Sequence, residues 1–174
     1  MSNNGPVHYT LRLNYPASVS QVSQMLADPA FARYAAEQTT PDGKVLLVDI
    51  TGDTATGFTA AVRRRIPNTW IPPQFRAFAG AEIEIRQAEV WEPEIDGQRL
   101  GTVSLEIVGT PLIMTGTVKL VPTETGTAQI YEGDIKANIP FIGAAIEAAA
   151  EQPVQEALKA TQQAGNDWLS KLNR

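Results

Sequence analysis

Cysteine is absent from this 174-residue chain and histidine occurs once, as His8. The first absence removes disulfide frameworks and thiolate chemistry. The second leaves too few imidazoles for a histidine-built metal site or a serine-type triad. Positive charge is also scarce: 14 Lys+Arg against 19 Asp+Glu give a net charge of −5. That balance provides no electrostatic footprint for nucleic acid and no general attraction to an anionic membrane surface. No apolar run approaches the length of roughly 18 residues that a membrane-spanning helix needs. The polar start from Met1 to Pro6 lacks the basic and apolar regions of a signal peptide. A cytoplasmic protein without stable membrane insertion is expected, and neither a metal nor a cofactor.

What is present is ordinary for a globular domain, with 43% apolar and 19% charged residues. The length suits one domain with a real core. Residues 7–15 alternate, with Val7, Tyr9, Leu11 and Leu13 on one face and His8, Thr10, Arg12 and Asn14 on the other. This is the pattern of a half-buried strand, ended by Pro16. Ser18 or Ser20 can cap a short helix running to Leu26. Asp28-Pro29 then reads as a cap followed by proline in the first turn, opening a second helix to about Gln38.

Six strands are predicted next, at about 44–51, 57–66, 82–91, 101–108, 112–121 and 127–138. Most links between them are short and carry turn residues, so successive strands are antiparallel neighbours. The exception is 67–81, long and proline-rich, with Trp70, Ile71, Phe75 and Phe78. Over 140–172 the residues Ile142, Ile146, Ala149, Pro153, Ala157, Thr161, Ala164, Trp168 and Leu172 draw one stripe on a long helix. Pro153 predicts a kink within it, or a hinge.

This order resembles the helix-grip architecture of the START-like superfamily, which includes pollen allergens, lipid-transfer domains and polyketide cyclases. The markers Asn14-Tyr15-Pro16-Ala17, Val22 to Pro29 and Trp168 are similar to those of an uncharacterised bacterial branch. The resemblance spans about residues 7–172 of a single domain taken as 1–174. It implies an α+β fold in which a seven-stranded antiparallel sheet wraps a long C-terminal helix, with two short helices after the first strand. It also implies an elongated internal cavity that holds a hydrophobic or amphipathic, lipid-like molecule. No catalytic motif is matched.

The apolar parity of the strands then nominates a ligand-binding wall: Phe58, Val62, Ile83, Ile85, Leu105, Met114, Val118, Tyr131 and Ile135, joined by Ile146 and Ala149 from the helix. The small residues Ala60, Gly116 and Gly133 on the same parity suggest open space. Arg64 and Tyr131 are the polar groups nominated to orient a ligand. Arg64 has a simpler reading, a strand-end side chain reaching water, and Tyr131 has one as an ordinary core tyrosine.

Gln87 and Glu89 share the inward parity, either as a polar cavity floor or turned outward by a slipped register. The expected register sets Arg64 opposite residues near 84 and Glu89 opposite residues near 59, which keeps the two roughly 16 Å apart. Trp70, Ile71, Phe75 and Phe78 are nominated as a cavity portal able to touch a membrane transiently, or else as a satellite core.

Non-catalytic binding or transport is the leading expectation. One alternative is a cyclase- or dehydratase-type enzyme, which needs an acid and a base together in the pocket, drawn from Glu89, Tyr131, Arg64 and Asp49. The other is a protein-interaction module using 67–81.

Overall fold

The computed structural model describes residues 7–70, 73–78, 80–110, 112–137 and 151–172, without the side chains of Trp70, Gln74, Phe75, Phe78 and Glu151. Strand β1 (Val7–Tyr15) leads into helices α1 (Val19–Leu26) and α2 (Pro29–Gln38). Then come β2 (Lys44–Asp53), β3 (Gly57–Pro67), two short 3-10 helices (Asn68–Trp70 and Pro73–Phe78), β4 (Glu82–Trp91), β5 (Arg99–Ile107), β6 (Leu112–Thr123) and β7 (Gly126–Ala137). Helix α3 (Glu151–Leu172) follows. The strands form one seven-stranded antiparallel sheet in the order β1-β7-β6-β5-β4-β3-β2.

Local chemistry starts and stops these elements. Ser18 and Gln21 form a reciprocal capping box at the start of α1. Asp28 accepts from the Ala30 amide with Pro29 in the first turn of α2. Asp53 Oδ1 takes the amides of Ala55 and Thr56 at 2.9 and 2.8 Å and shapes the β2–β3 turn. Asp96, at φ 54°, and Gly97, at φ 78°, occupy the left-handed region in the β4–β5 turn, which suits an Asp-Gly pair.

The three α-helices among the described residues lie on one face of the sheet, and its inward side chains fall in rows across the strands. One row is Arg64–Ile85–Ile107. The next is Val62–Gln87–Leu105–Met114–Ile135–Val7, then Ala60–Glu89–Val103–Gly116–Gly133–Tyr9. A fourth is Phe58–Trp91–Gly101–Val118–Tyr131–Leu11. Beyond it Leu13, Leu120, Met25, Val22 and Leu169 close the main core. The opposite face carries an ionic ladder, Arg63–Glu84–Arg86–Glu106, with contacts of 2.9, 3.2 and 3.5 Å.

Three expectations change. Gly116 and Gly133 do not open space: a Cβ on Gly116 would run into the Glu132 carbonyl oxygen, and one on Gly133 would meet the Thr115 carbonyl. They are glycines because two backbones cross closely there. The inward stripe of α3 is Val154, Leu158, Thr161, Ala164, Gly165, Trp168 and Leu169, whereas Pro153 and Leu172 are exposed. A three-and-four spacing admits two adjacent stripes. The larger aliphatics, with Gly165 against the Tyr15 ring, select the second. The kink expected at Pro153, and Ile142, Ile146 and Ala149 of the expected stripe, involve residues outside those described. Finally, Arg64 pairs with Ile85 and Glu89 with Ala60, one residue away from the expected register.

Candidate ligand cavity

Between sheet and helices lies a cavity of about 210 Å³. Its apolar wall comes from Leu11 of β1, Phe31 and Ala35 of α2, Ala60 and Val62 of β3, Val103 and Leu105 of β5, Met114 of β6, and Val154 and Leu158 of α3. Two sets of polar side chains also line it.

The first set surrounds Glu89, whose side chain is buried. The Tyr131 hydroxyl donates to Glu89 Oε2 at 2.7 Å and accepts from Gln129 Nε2 at 2.8 Å. Tyr131 and Glu89 lie on strands three places apart in the sheet. On a flat sheet their Cα atoms would be roughly 16 Å apart, beyond the joint reach of the two side chains. The contact therefore requires the sheet to curl toward its helices. Burial drives the Glu89 carboxyl pKa up, against the lowering effect of the Tyr131 hydrogen bond. Burial, followed by the nearby Glu89 carboxylate, drives the Tyr131 phenol well above its ordinary value. Gln129 Oε1 and the Tyr15 hydroxyl are buried nearby without partners among the described residues, and the Trp91 indole lies beside Glu89.

The second set surrounds Arg64. Its Nη1 donates to Thr39 Oγ1 at 2.7 Å and Thr40 Oγ1 at 3.3 Å, and its Nη2 to Gln87 Oε1 at 3.2 Å. Its Nε is buried without an acceptor. Burial brings its pKa down to about 10. The side chain does not reach out past the strand end; α2 holds it inside.

Of the residues nominated from sequence, Val62, Arg64, Leu105, Met114 and Tyr131 line the cavity. Phe58 instead stacks on Trp91 at 6.3 Å, and Val118 packs in the main core. Ile135 joins Leu112 and Ala137 in a separate cluster. Ile83 is buried and Ile85 partly buried, and neither is among the lining residues. Ile146, Ala149 and Ile71 lie outside the described residues, as do the side chains of Trp70, Phe75 and Phe78. Asp49 is exposed. His8 is on the outer face, 3.1 Å from Asp134. Gln129 was legible by extending the Tyr131 parity two residues back. Phe31 and Ala35 fall on the apolar stripe of α2 that the sequence shows, but that this stripe borders a void had no sequence signal. Among the described residues no helix is long and apolar enough to cross a membrane, and no cluster of three metal-ligating side chains occurs.

A curled antiparallel sheet closed by helices over an internal cavity is the helix-grip fold of the START and pollen-allergen class, and solved structures agree. A protein from Thermus thermophilus superposes with a TM-score of 0.58 at 13% identity, over 98% of this chain and 100% of that one. A STAR-related lipid transfer protein from Xanthomonas axonopodis does so at 0.54 and 19%, over 98% and 89%. A Thalictrum norcoclaurine synthase point mutant, in complex with a transition-state analogue, does so at 0.52 and 16%, over 98% and 96%. The chain belongs to the family described as "Protein of unknown function (DUF2505)", whose model matches residues 10–169. No curated protein matches it.

Proposed function

We propose that this protein binds a small hydrophobic or amphipathic molecule in the cavity between sheet and helices, as a carrier or sensor within one START-like domain. The observation that carries this reading is a cavity of about 210 Å³ whose wall is mainly apolar and whose few polar groups converge from different elements. Its likeness in fold to a STAR-related lipid transfer protein supports the same reading. Native mass spectrometry of the protein as purified from cells tests it. The expected result is an adduct of defined mass that leaves on denaturation. A bare chain that also fails to take up added octanol would overturn the proposal.

A second reading, an enzyme of the cyclase or dehydratase type, is favoured by one observation: Glu89 and Tyr131 stand 2.7 Å apart in the same pocket. A buried carboxyl with a raised pKa is a proton donor in waiting. Incubating a metabolite extract with wild type and with Glu89→Gln separates the two readings. Under the enzyme reading a defined metabolite is consumed only by wild type; under the carrier reading neither protein consumes anything.

A further inference from the structure

The arginines of the sheet differ in what they meet. Arg63, Arg65 and Arg86 each meet a glutamate on the outer face of the sheet. Arg99, buried behind Phe58, gives its hydrogen bonds to Ser23 and to the carbonyls of Glu92 and Thr54. Arg64 lines the cavity and, among the described residues, forms no ion pair. Its three acceptors are neutral oxygens, from Thr39, Thr40 and Gln87. Thr39 in turn donates to the Ala35 carbonyl in the last turn of α2. The guanidinium therefore faces the negative end of that helix, worth about half an elementary charge. That is less than a full counter-charge, and the Nε–H is buried without an acceptor.

The other end of the cavity has opposite character. Glu89 sits two rows from Arg64 along the sheet, roughly 13 Å away at strand spacing. Between them lies the row of Val62, Gln87, Leu105 and Met114, in which Gln87 is the one polar side chain and hydrogen-bonds toward both ends. One end thus presents an unpaired cation, and the other a carboxyl whose ionisation an incoming anion would oppose.

We propose that the cavity selects an amphiphile bearing a carboxylate, held with the carboxylate on Arg64 and its apolar body directed toward the Glu89–Tyr131 end. The carboxylate takes the place of Gln87 on Nη2 and supplies Nε with its acceptor, the side-on fork that guanidinium offers planar oxyanions. This inference rests on the cavity-binding function proposed above and adds the charge and polarity of the ligand.

Isothermal titration at pH 7 with octanoate, octanol and octylamine tests it, on wild type and on Arg64→Gln. Wild type is expected to bind octanoate at least about tenfold tighter than octanol, the size of one charge-assisted contact, and octylamine most weakly. Arg64→Gln is expected to remove the preference for octanoate over octanol. Arg64→Lys, which keeps the charge and loses the fork, is expected to retain part of it. Equal affinities for octanoate and octanol in wild type would overturn the inference and leave cavity binding intact. So would a preference that survives Arg64→Gln, because the anion would then sit elsewhere. Failure of all three probes would overturn cavity binding itself, and the inference with it. Should Arg64→Gln not fold, the wild-type ranking of the three probes still decides.

Discussion

Glu89 is a carboxyl group folded into an apolar site, and its proton follows from that. In the unfolded chain it titrates near the ordinary 4.5; in the folded protein burial raises that value. Above 4.5 the unfolded state sheds a proton that the native state retains, so this group makes stability fall as pH rises through the window up to its folded pKa. Glu89→Gln removes the contribution while keeping an acceptor for the Tyr131 hydroxyl. The thermal midpoint of wild type is therefore expected to drop relative to Glu89→Gln as pH climbs from 4.5 into that window. Parallel curves for the two proteins would show that the carboxyl is not held protonated. At the same scale, Ser18→Ala deletes the acceptor for the Gln21 amide and half of the capping box. A loss of about 1 kcal/mol in denaturant unfolding is expected.

Gly165 settles how the last helix docks. In an exposed helix, alanine is favoured over glycine by about 1 kcal/mol. Here a Cβ would run into Cε1 of Tyr15, itself fixed in the main core. Gly165→Ala is therefore expected to destabilise the protein by about 1–3 kcal/mol, opposite in sign to helix propensity. A denaturant titration showing a gain would mean that Tyr15 yields. The same packing explains which features were legible in the sequence. Strand identity, order and antiparallel pairing were readable because alternation and turn residues are local signals; the parity of β3 and β4 set Arg64, Gln87 and Glu89 on the inward face but left open a strand-end Arg64 and an outward-turned Gln87 and Glu89. Thr161, Ala164 and Trp168 of the helix stripe were read correctly, but Pro153 stood in for Val154 because spacing alone cannot choose between adjacent stripes; Ala157 and Leu158 both line the cavity, and contact with Tyr15 and β1 sets the helix between them. The wall contributed by Phe31, Ala35 and Thr39 was unreadable for the same reason: sequence gives α2 an apolar face but not the void beneath it.

At the scale of the whole molecule, the cavity is a packing defect that the fold maintains. Native interiors are otherwise close-packed, and an unfilled void forfeits dispersion contacts. Occupying it should stabilise the chain by mass action, as any ligand specific to the native state does. Ala60 lies on the wall among the Val62, Glu89 and Val103 side chains. Ala60→Phe is expected to occupy part of the space, weakening octanol uptake at least about tenfold while leaving the thermal midpoint of the empty protein equal or higher. Unchanged uptake would place the binding site outside this cavity.

Trp91 lines the cavity, is 2% exposed and has its indole beside the Glu89 carboxyl, on the same strand two residues away. An indole in that position is an optical gauge. Its emission colour depends on the polarity beside it, and its brightness on whether a neighbouring carboxyl can accept or donate a proton. The arrival of a guest and the titration of Glu89 should thus both be visible as changes in ultraviolet fluorescence, with no label attached.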